Sequence, residues 1–298
     1  MTTKPVRKLL ATDLDGTFLT KDGSVTARNR ELLKKANENG LNVVFVTGRP
    51  ARWLRGIADA AEHHNTMIGA NGGLIADLQT MQVTHAFPAE QAALKQVVHN
   101  IKELFPKATF AIERSYVGMP LAPATGLKYE EMKVSSLSNF EFAITPGYVG
   151  RWPVDAIIPT APIEELVEVS DITKMIVKPE HQDEWNSDTW YEALKPAVGD
   201  LLQLTHASLD VVLAEISAKG VTKGTTLAAL AESLNLTRED VVAVGDMPND
   251  IPMLRWAAEP WTVANAHADV LEVAHAVLGH HDDSPVADLM EDLINRLV

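Results

Sequence analysis

Cysteine is absent from the 298 residues. That excludes disulfides, thiolate nucleophiles and thiolate-held metals, and it is compatible with a reducing compartment. Long apolar runs are missing too: none approaches the roughly 18 to 20 residues needed to span a bilayer. Positive charge is scarce, with 26 Lys and Arg against 40 Asp and Glu, a formal net charge of −14. Such a balance argues against broad binding to a nucleic-acid backbone, where clustered cations must displace counterions. A small anion stays open as a ligand if positive charge is concentrated locally. Aromatic residues make up 6% of the chain while hydrophobic residues make up 46%, enough for one large or two modest cores. The amino-terminal MTTKPVRKLLATDLDG passes straight into a strand pattern, with no separate apolar region or small-residue cleavage site. The expectation is a cytoplasmic protein that binds neither nucleic acid nor membrane; its oligomeric state is not legible.

What is present is organised around LLATDLDGTFL, Leu9 to Leu19. An apolar run of strand type leads into Asp13 and Asp15, one residue apart, and then a Gly-Thr turn. Two like charges at a strand's carboxyl end are costly unless a cation neutralises them or one holds a proton. Ligands of open α/β sheets bind outside the carboxyl ends of the strands, where this pair would sit.

Ala27 to Asn39 then reads as a helix, with Ser24-Val25-Thr26 before it and Gly40 after it. LNVVFV at Leu41 to Val46 is a strand ending in Thr47-Gly48-Arg49-Pro50, and a helix follows to about His64. Strand, helix and strand make a βαβ unit with a parallel sheet. Thr66 to Ala70 predicts a third strand, Asn71-Gly72-Gly73 a turn, and Leu74 to Ala76 with Met81 to Ala86 a hairpin. From about Phe87 the texture changes to an α+β mixture. It holds a helix over Ala89 to Leu104, strand-like segments at Thr109 to Ile112, Val154 to Ile158, Lys174 to Val177 and Leu201 to Thr205, and helical pieces near Pro162 to Val169 and Trp185 to Leu194. The α/β rhythm returns from about Leu209: Val211 to Ile216 leads to Lys219-Gly220-Val221-Thr222-Lys223-Gly224 and a helix from Thr225 to Leu234, then comes a strand EDVVAV ending in Gly245-Asp246-Met247-Pro248-Asn249-Asp250, then a helix. The expected division is a core of residues 1–86 and 208–298 interrupted by an inserted domain, 87–207. The pairs His63/His64 and His280/His281 read as solvated, and Trp185, Trp190 and Tyr191 as packing residues.

If the three strands are parallel neighbours, Asp13/Asp15, Thr47/Gly48, Asp246/Asn249/Asp250 and Lys223 converge on one crevice. Carboxylates with carbonyl and water oxygens suit a hard cation such as Mg²⁺. The lack of Cys and of paired His argues against zinc.

These motifs resemble the haloacid dehalogenase superfamily of phosphohydrolases, closest in pattern to its Cof-type group. DLDGT stands at Asp13 to Thr17, VTGR closes the second strand, VTKG supplies Lys223 and GDMPND spans Gly245 to Asp250. Asn71-Gly72 and VANA at Val263 to Ala266 extend the likeness to the whole chain apart from the interior of the insert. The resemblance implies a Rossmann-like parallel-sheet core with an α+β cap. It implies Mg²⁺-dependent removal of phosphate from a small phosphorylated metabolite, a sugar phosphate or similar, through an aspartyl-phosphate. Asp13 would be the nucleophile, and Asp15 would protonate the leaving alcohol and deprotonate the attacking water. Asp13 and Asp246 would ligate the metal, with the backbone carbonyl of Asp15. Thr47, the Gly48 amide and Lys223 would hold the phosphoryl group, Asn249 would contact substrate phosphate, and Asp250 would support Lys223 or a water.

Rivals stand beside these assignments. Thr47 fits a local turn, Lys219 competes with Lys223 without opening the helix, and Arg49 reads as an anchor. A phosphomannomutase-like mutase would usually carry a longer, glycine-rich fourth motif than GDMPND. A non-catalytic phospholigand-binding protein would not need every charged position filled. The insert is expected to act as a mobile cap hinged near 86–88 and 207–210.

Overall fold

In a computed structural model the described residues are 8–121, 140–150, 158–208 and 211–297. The chain begins with β1 (Lys8–Thr12), α1 (Ala27–Asn39), β2 (Leu41–Val46), α2 (Ala51–Ala61) and β3 (Thr66–Gly69), then a hairpin of β4 (Leu74–Asp77) and β5 (Gln82–Ala86). It continues through α3 (Gln91–Leu104), β6 (Thr109–Arg114), β7 (Phe142–Ile144), α4 (Ile163–Leu166), β8 (Ile172–Lys178), α5 (Ser187–Val198), β9 (Gln203–Thr205) and β10 (Ala214–Ser217). Last come α6 (Lys223–Ser233), β11 (Val241–Gly245), α7 (Ile251–Trp256), β12 (Glu259–Thr262), α8 (Ala268–Leu271), β13 (Ala276–Val277) and α9 (Pro285–Leu297).

Two sheets result. The larger runs β13-β12-β11-β1-β2-β3-β4-β5, parallel from β13 to β3 and closed by the antiparallel hairpin. Its central strands, β1, β2 and β11, are apolar on both faces because both faces are covered. Leu10, Val43, Phe45, Val242 and Val244 pack with α1, α2 and α9, while Leu9, Ala11, Val44, Val46, Val241 and Ala243 pack with α6 and α7. Thr26 caps α1 by accepting from the Asn29 amide, and Gly40 ends it at φ 83°, a conformation that favours glycine.

The second sheet, β7-β6-β8-β10-β9, is antiparallel throughout. Leu94, Val97 and Ile101 of α3 and Trp190 and Leu194 of α5 cover one face, together with Met175 and Val177 of β8. Because side chains alternate along a strand, Lys174, Ile176 and Lys178 of β8 lie on the opposite face.

Here the structure corrects the sequence reading. The segment Val211 to Ile216, expected in the core, supplies a strand of the second sheet, β10 between β8 and β9. The expected division at 207/208 therefore does not follow the sheets, since a short apolar stretch carries no mark of which sheet it joins. The strand at Phe142–Ile144 was not anticipated, and the one expected at Val154 to Ile158 lies, but for Ile158, outside the described residues. The chain after β6 also returns to the first sheet. The amides of Val83, Gly118 and Leu121 donate to the carbonyls of Met119, Val83 and Met81, and Met119 and Leu121 are buried in its core.

Candidate active site

β1 lies between β11 and β2, with all three parallel, so their carboxyl ends meet. Asp13 is the first residue past β1, and its amide donates to Val244 O at 2.9 Å, which continues the ladder into the loop. The carboxylates thus stand on a loop and not on the strand itself. Leu14 is fully buried and its carbonyl accepts from the amides of Thr17, Phe18 and Leu19, folding DGT into a tight turn. Thr17 Oγ1 donates to Asp246 Oδ1 at 2.8 Å. Gly16 has φ +79°, and a Cβ there would come within 2.4 Å of Asp246 Oδ2, so the position requires glycine. Asn265, of VANA, donates to Gly16 O at 2.8 Å and ties this turn to the loop after β12.

Lys223 is the first residue of α6, whose amino end is capped by Thr222. The side chain is fully buried, and Nζ donates to Asp13 Oδ1 and to Asp250 Oδ1, each at 2.6 Å. Asp250 Oδ2 accepts from the amides of Asp246 and Met247 at 3.0 Å. Burial pushes the Asp13 carboxyl up; Lys223 pulls it down, Asp250, Asp246 and Asp15 push it up again, and it ends well above the usual range. Burial, then Asp250, raises Asp246 to about 7 against the opposing pull of Thr17 and Lys223. Burial would lower Lys223, but Asp13 and Asp250 outweigh it and hold the ammonium charged.

Carboxylate oxygens of Asp13, Asp246 and Asp250 lie within 4.8 Å of one another. Three buried carboxylates against one ammonium leave excess negative charge, which adds to burial in raising Asp13 and Asp246. Both oxygens of Asp250 are taken, whereas Asp13 Oδ2 and Asp246 Oδ2 accept from no described residue. An all-oxygen, negatively charged donor set with these two oxygens available fits a hard divalent cation. The Asp15 carboxylate stands outside this cluster, half-exposed and gripped by Arg49 through Nε at 2.7 Å and Nη2 at 2.5 Å.

The end of β2 supplies Thr47 and Gly48. Thr47 is buried, and its hydroxyl accepts from the Arg49 amide at 3.1 Å, the local turn weighed for it above. Asn249 donates to Asn71 Oδ1 at 3.0 Å, and Asn71, at φ 57°, donates to Glu215 Oε2 at 2.8 Å. Lys174 of β8 donates to Gly48 O at 2.7 Å and to Glu215 Oε1 at 2.8 Å. A cavity of about 560 Å³ lies between the two sheets, lined by Asp13, Asp15, Thr47, Gly48 and Asn249 and by residues of the second sheet.

A family model described as haloacid dehalogenase-like hydrolase matches residues 10–149 and 150–290. The chain belongs to this family. Phosphatase YwpJ of Bacillus subtilis is 25% identical to it over 96% of this chain and 100% of that protein. The 5-amino-6-(5-phospho-D-ribitylamino)uracil phosphatase YwtE of the same organism is 25% identical over 97% and 98%. The solved structure of BT1666 from Bacteroides thetaiotaomicron, a phosphatase of the haloalkanoate superfamily, superposes with a TM-score of 0.72 at 21% identity, covering 98% and 96%. The hydrolase is a phosphoric monoester hydrolase with the α/β architecture of that superfamily.

In this hydrolase the motif residues come together as a set, and Lys219 lies exposed while Lys223 enters the site. Sequence reasoning missed the charged roof: Arg52, Glu113, Lys174 and Glu215 are buried. A signal was available, since TFAIER, ITKMIVK and AEIS each carry a charge within an apolar strand. It also missed the grip of Arg49 on Asp15. Among the histidines, His64 and His280 are exposed, but His63 and His281 are buried, with ring nitrogens bonded to Val43 O at 2.9 Å and Leu19 O at 2.7 Å. Trp190 is fully buried, donates to Val177 O and packs edge-on against Phe105 and Trp185.

Proposed function

We propose that this phosphatase acts on a small phosphorylated metabolite through an aspartyl-phosphate at Asp13, with Mg²⁺ held by Asp13, Asp246 and the Asp15 carbonyl. The observation that carries the reading is that a fully buried lysine clamps Asp13 at Oδ1 beside the Asp246 carboxylate. A carboxylate fixed in this way is oriented for attack on phosphorus. The bond from Asp13 to phosphorus forms as the bond to the leaving oxygen breaks, and Asp15 delivers a proton to that oxygen. Water then attacks the same phosphorus, Asp15 takes its proton, and inorganic phosphate leaves with Asp13 restored. Thr47 and the Gly48 amide hydrogen-bond the transferring group, Lys223 balances its charge and Asn249 contacts the phosphate. The bound cation would neutralise charge on the phosphoryl oxygens. Asp250 positions Lys223. The unit built on the second sheet is the cap that selects the substrate, and cytoplasmic residence is part of the same proposal.

Hydrolysis of p-nitrophenyl phosphate with Mg²⁺ tests the reading directly. Turnover should fall at least about 10³-fold in Asp13→Asn and disappear after chelation, returning when Mg²⁺ is restored. Undiminished activity in either case would overturn it. A mutase would give isomerised sugar phosphate in place of free phosphate, and a binding protein would release none.

A further inference from the structure

The cavity in front of Asp13 has two unlike parts. Near the phosphate end every charged roof residue is matched. Arg52 Nη2 lies 3.0 Å from Glu113 Oε1, and Lys174 Nζ lies 3.1 Å from Glu113 Oε2 and 2.8 Å from Glu215 Oε1. Two cations thus face two carboxylates. Arg52 also lies over the rings of Phe142 and Trp53, at 4.5 and 4.9 Å. Lys178, farther along the same face of β8, donates to Val149 O at 2.7 Å and lies 4.8 Å over Tyr148. Among the described residues the roof holds no lysine or arginine in reserve for a second phosphate or a carboxylate.

Away from the phosphate the lining is mostly apolar, with Lys178 and Ser208 beside it. Phe142, Tyr148 and Ile176 form one cluster with Leu213 packed against it, and all four line the cavity. Trp53 and Val149, 40% and 68% exposed, line it as well, so large apolar side chains that would normally be buried are kept at this cavity. Gln182 adds a polar group. Such a wall matches a flat ring with one or two polar substituents. It does not match a polyol, whose hydroxyls would lose water against carbon.

We infer that the leaving group is an uncharged, ring-bearing alcohol, so that the substrate is an aryl- or heteroarylmethyl monophosphate whose ring lies against Phe142, Tyr148, Ile176 and Trp53. This replaces the sugar phosphate expected from sequence, and it rests on the phosphatase reading above. The test compares kcat/KM for benzyl phosphate and 3-pyridylmethyl phosphate with that for glucose 6-phosphate and glycerol 3-phosphate. All four release unactivated primary alcohols, so differences report recognition. The ring esters should be favoured about tenfold or more, and the ratio should shrink in Trp53→Ala, at a half-exposed position, and in Ile176→Asn. A ratio of one or below, or a ratio unmoved by both variants, overturns the inference and leaves the phosphatase standing. Failure to hydrolyse any ester, p-nitrophenyl phosphate included, overturns both.

Discussion

Arg49 holds Asp15 by two nearly parallel hydrogen bonds, a geometry that only a planar guanidinium supplies. Freed of that grip, a half-exposed carboxylate would sample several rotamers, and proton transfer depends on placement within about an ångström. Arg49→Gln should therefore lower kcat about ten- to a hundredfold for esters of unactivated alcohols. p-Nitrophenyl phosphate, whose leaving group needs no proton, should lose much less; equal losses for both would show that Arg49 serves structure alone. His63 presents a different test. Burial pushes its imidazole down to about 4, against the smaller opposing pull of the Val43 carbonyl. The unfolded chain therefore binds a proton at a higher pH than the folded one, so this stability is complete above about pH 6.5 and lost as pH falls toward 4. The gap corresponds to about 3 kcal/mol. Urea unfolding across that window should be flatter by this amount in His63→Leu, whatever that variant loses at neutral pH. Neither role was legible: TGRP shows an arginine but not which carboxylate it meets, and a histidine at a helix end looks solvated until the Phe45 ring is seen beside it.

At the scale of elements, α6 begins at Lys223 and carries its side chain to Asp13 and Asp250. Thr222 accepts from the Thr225 amide while Thr225 bonds back to Thr222, a reciprocal cap that starts the helix at the lysine. Thr222→Ala should cost about 1 kcal/mol of stability, read by denaturant unfolding, and should reduce turnover further than that loss alone through a looser Lys223. Unchanged activity at full folding would separate the cap from the site. The strands bearing the motifs were legible because a parallel sheet covered on both faces leaves continuous apolar runs, and LNVVFV and EDVVAV have little else to be. Their adjacency followed from the chemistry of their ends, since a lysine and three carboxylates have reason to meet. β10 was misread for the complementary reason. Four residues, AEIS, fit either sheet, and only hydrogen bonds to β8 and β9 decide between them.

For the molecule as a whole, the question is how the two sheets are held in register. A unit joined to the core by two covalent connections alone would swing freely, as the sequence suggested. The chain instead ties residues 118–121 to β5 and buries Met119 and Leu121 in the first core, so replacing 87–207 by a linker would open that core. Nearer the site, Lys174 crosses from the second sheet to Gly48 O, and Arg52 crosses from α2 to Glu113. Burial would lower the Lys174 ammonium, but Glu113 and Glu215 outweigh it and raise it. A buried pair of this kind adds little net stability over an apolar replacement, yet breaking one side strands the other. Lys174→Met leaves Glu215 facing Asn71 alone and removes the donor from Gly48 O, and should cost about 3–5 kcal/mol. Adding Glu215→Gln removes the stranded charge and should recover part of that loss in a double-mutant cycle. Stability would then return while turnover stayed low, because Gly48 would still lack its lysine. Turnover that recovered in step with stability would mean that Lys174 holds the sheets together without shaping the phosphate loop.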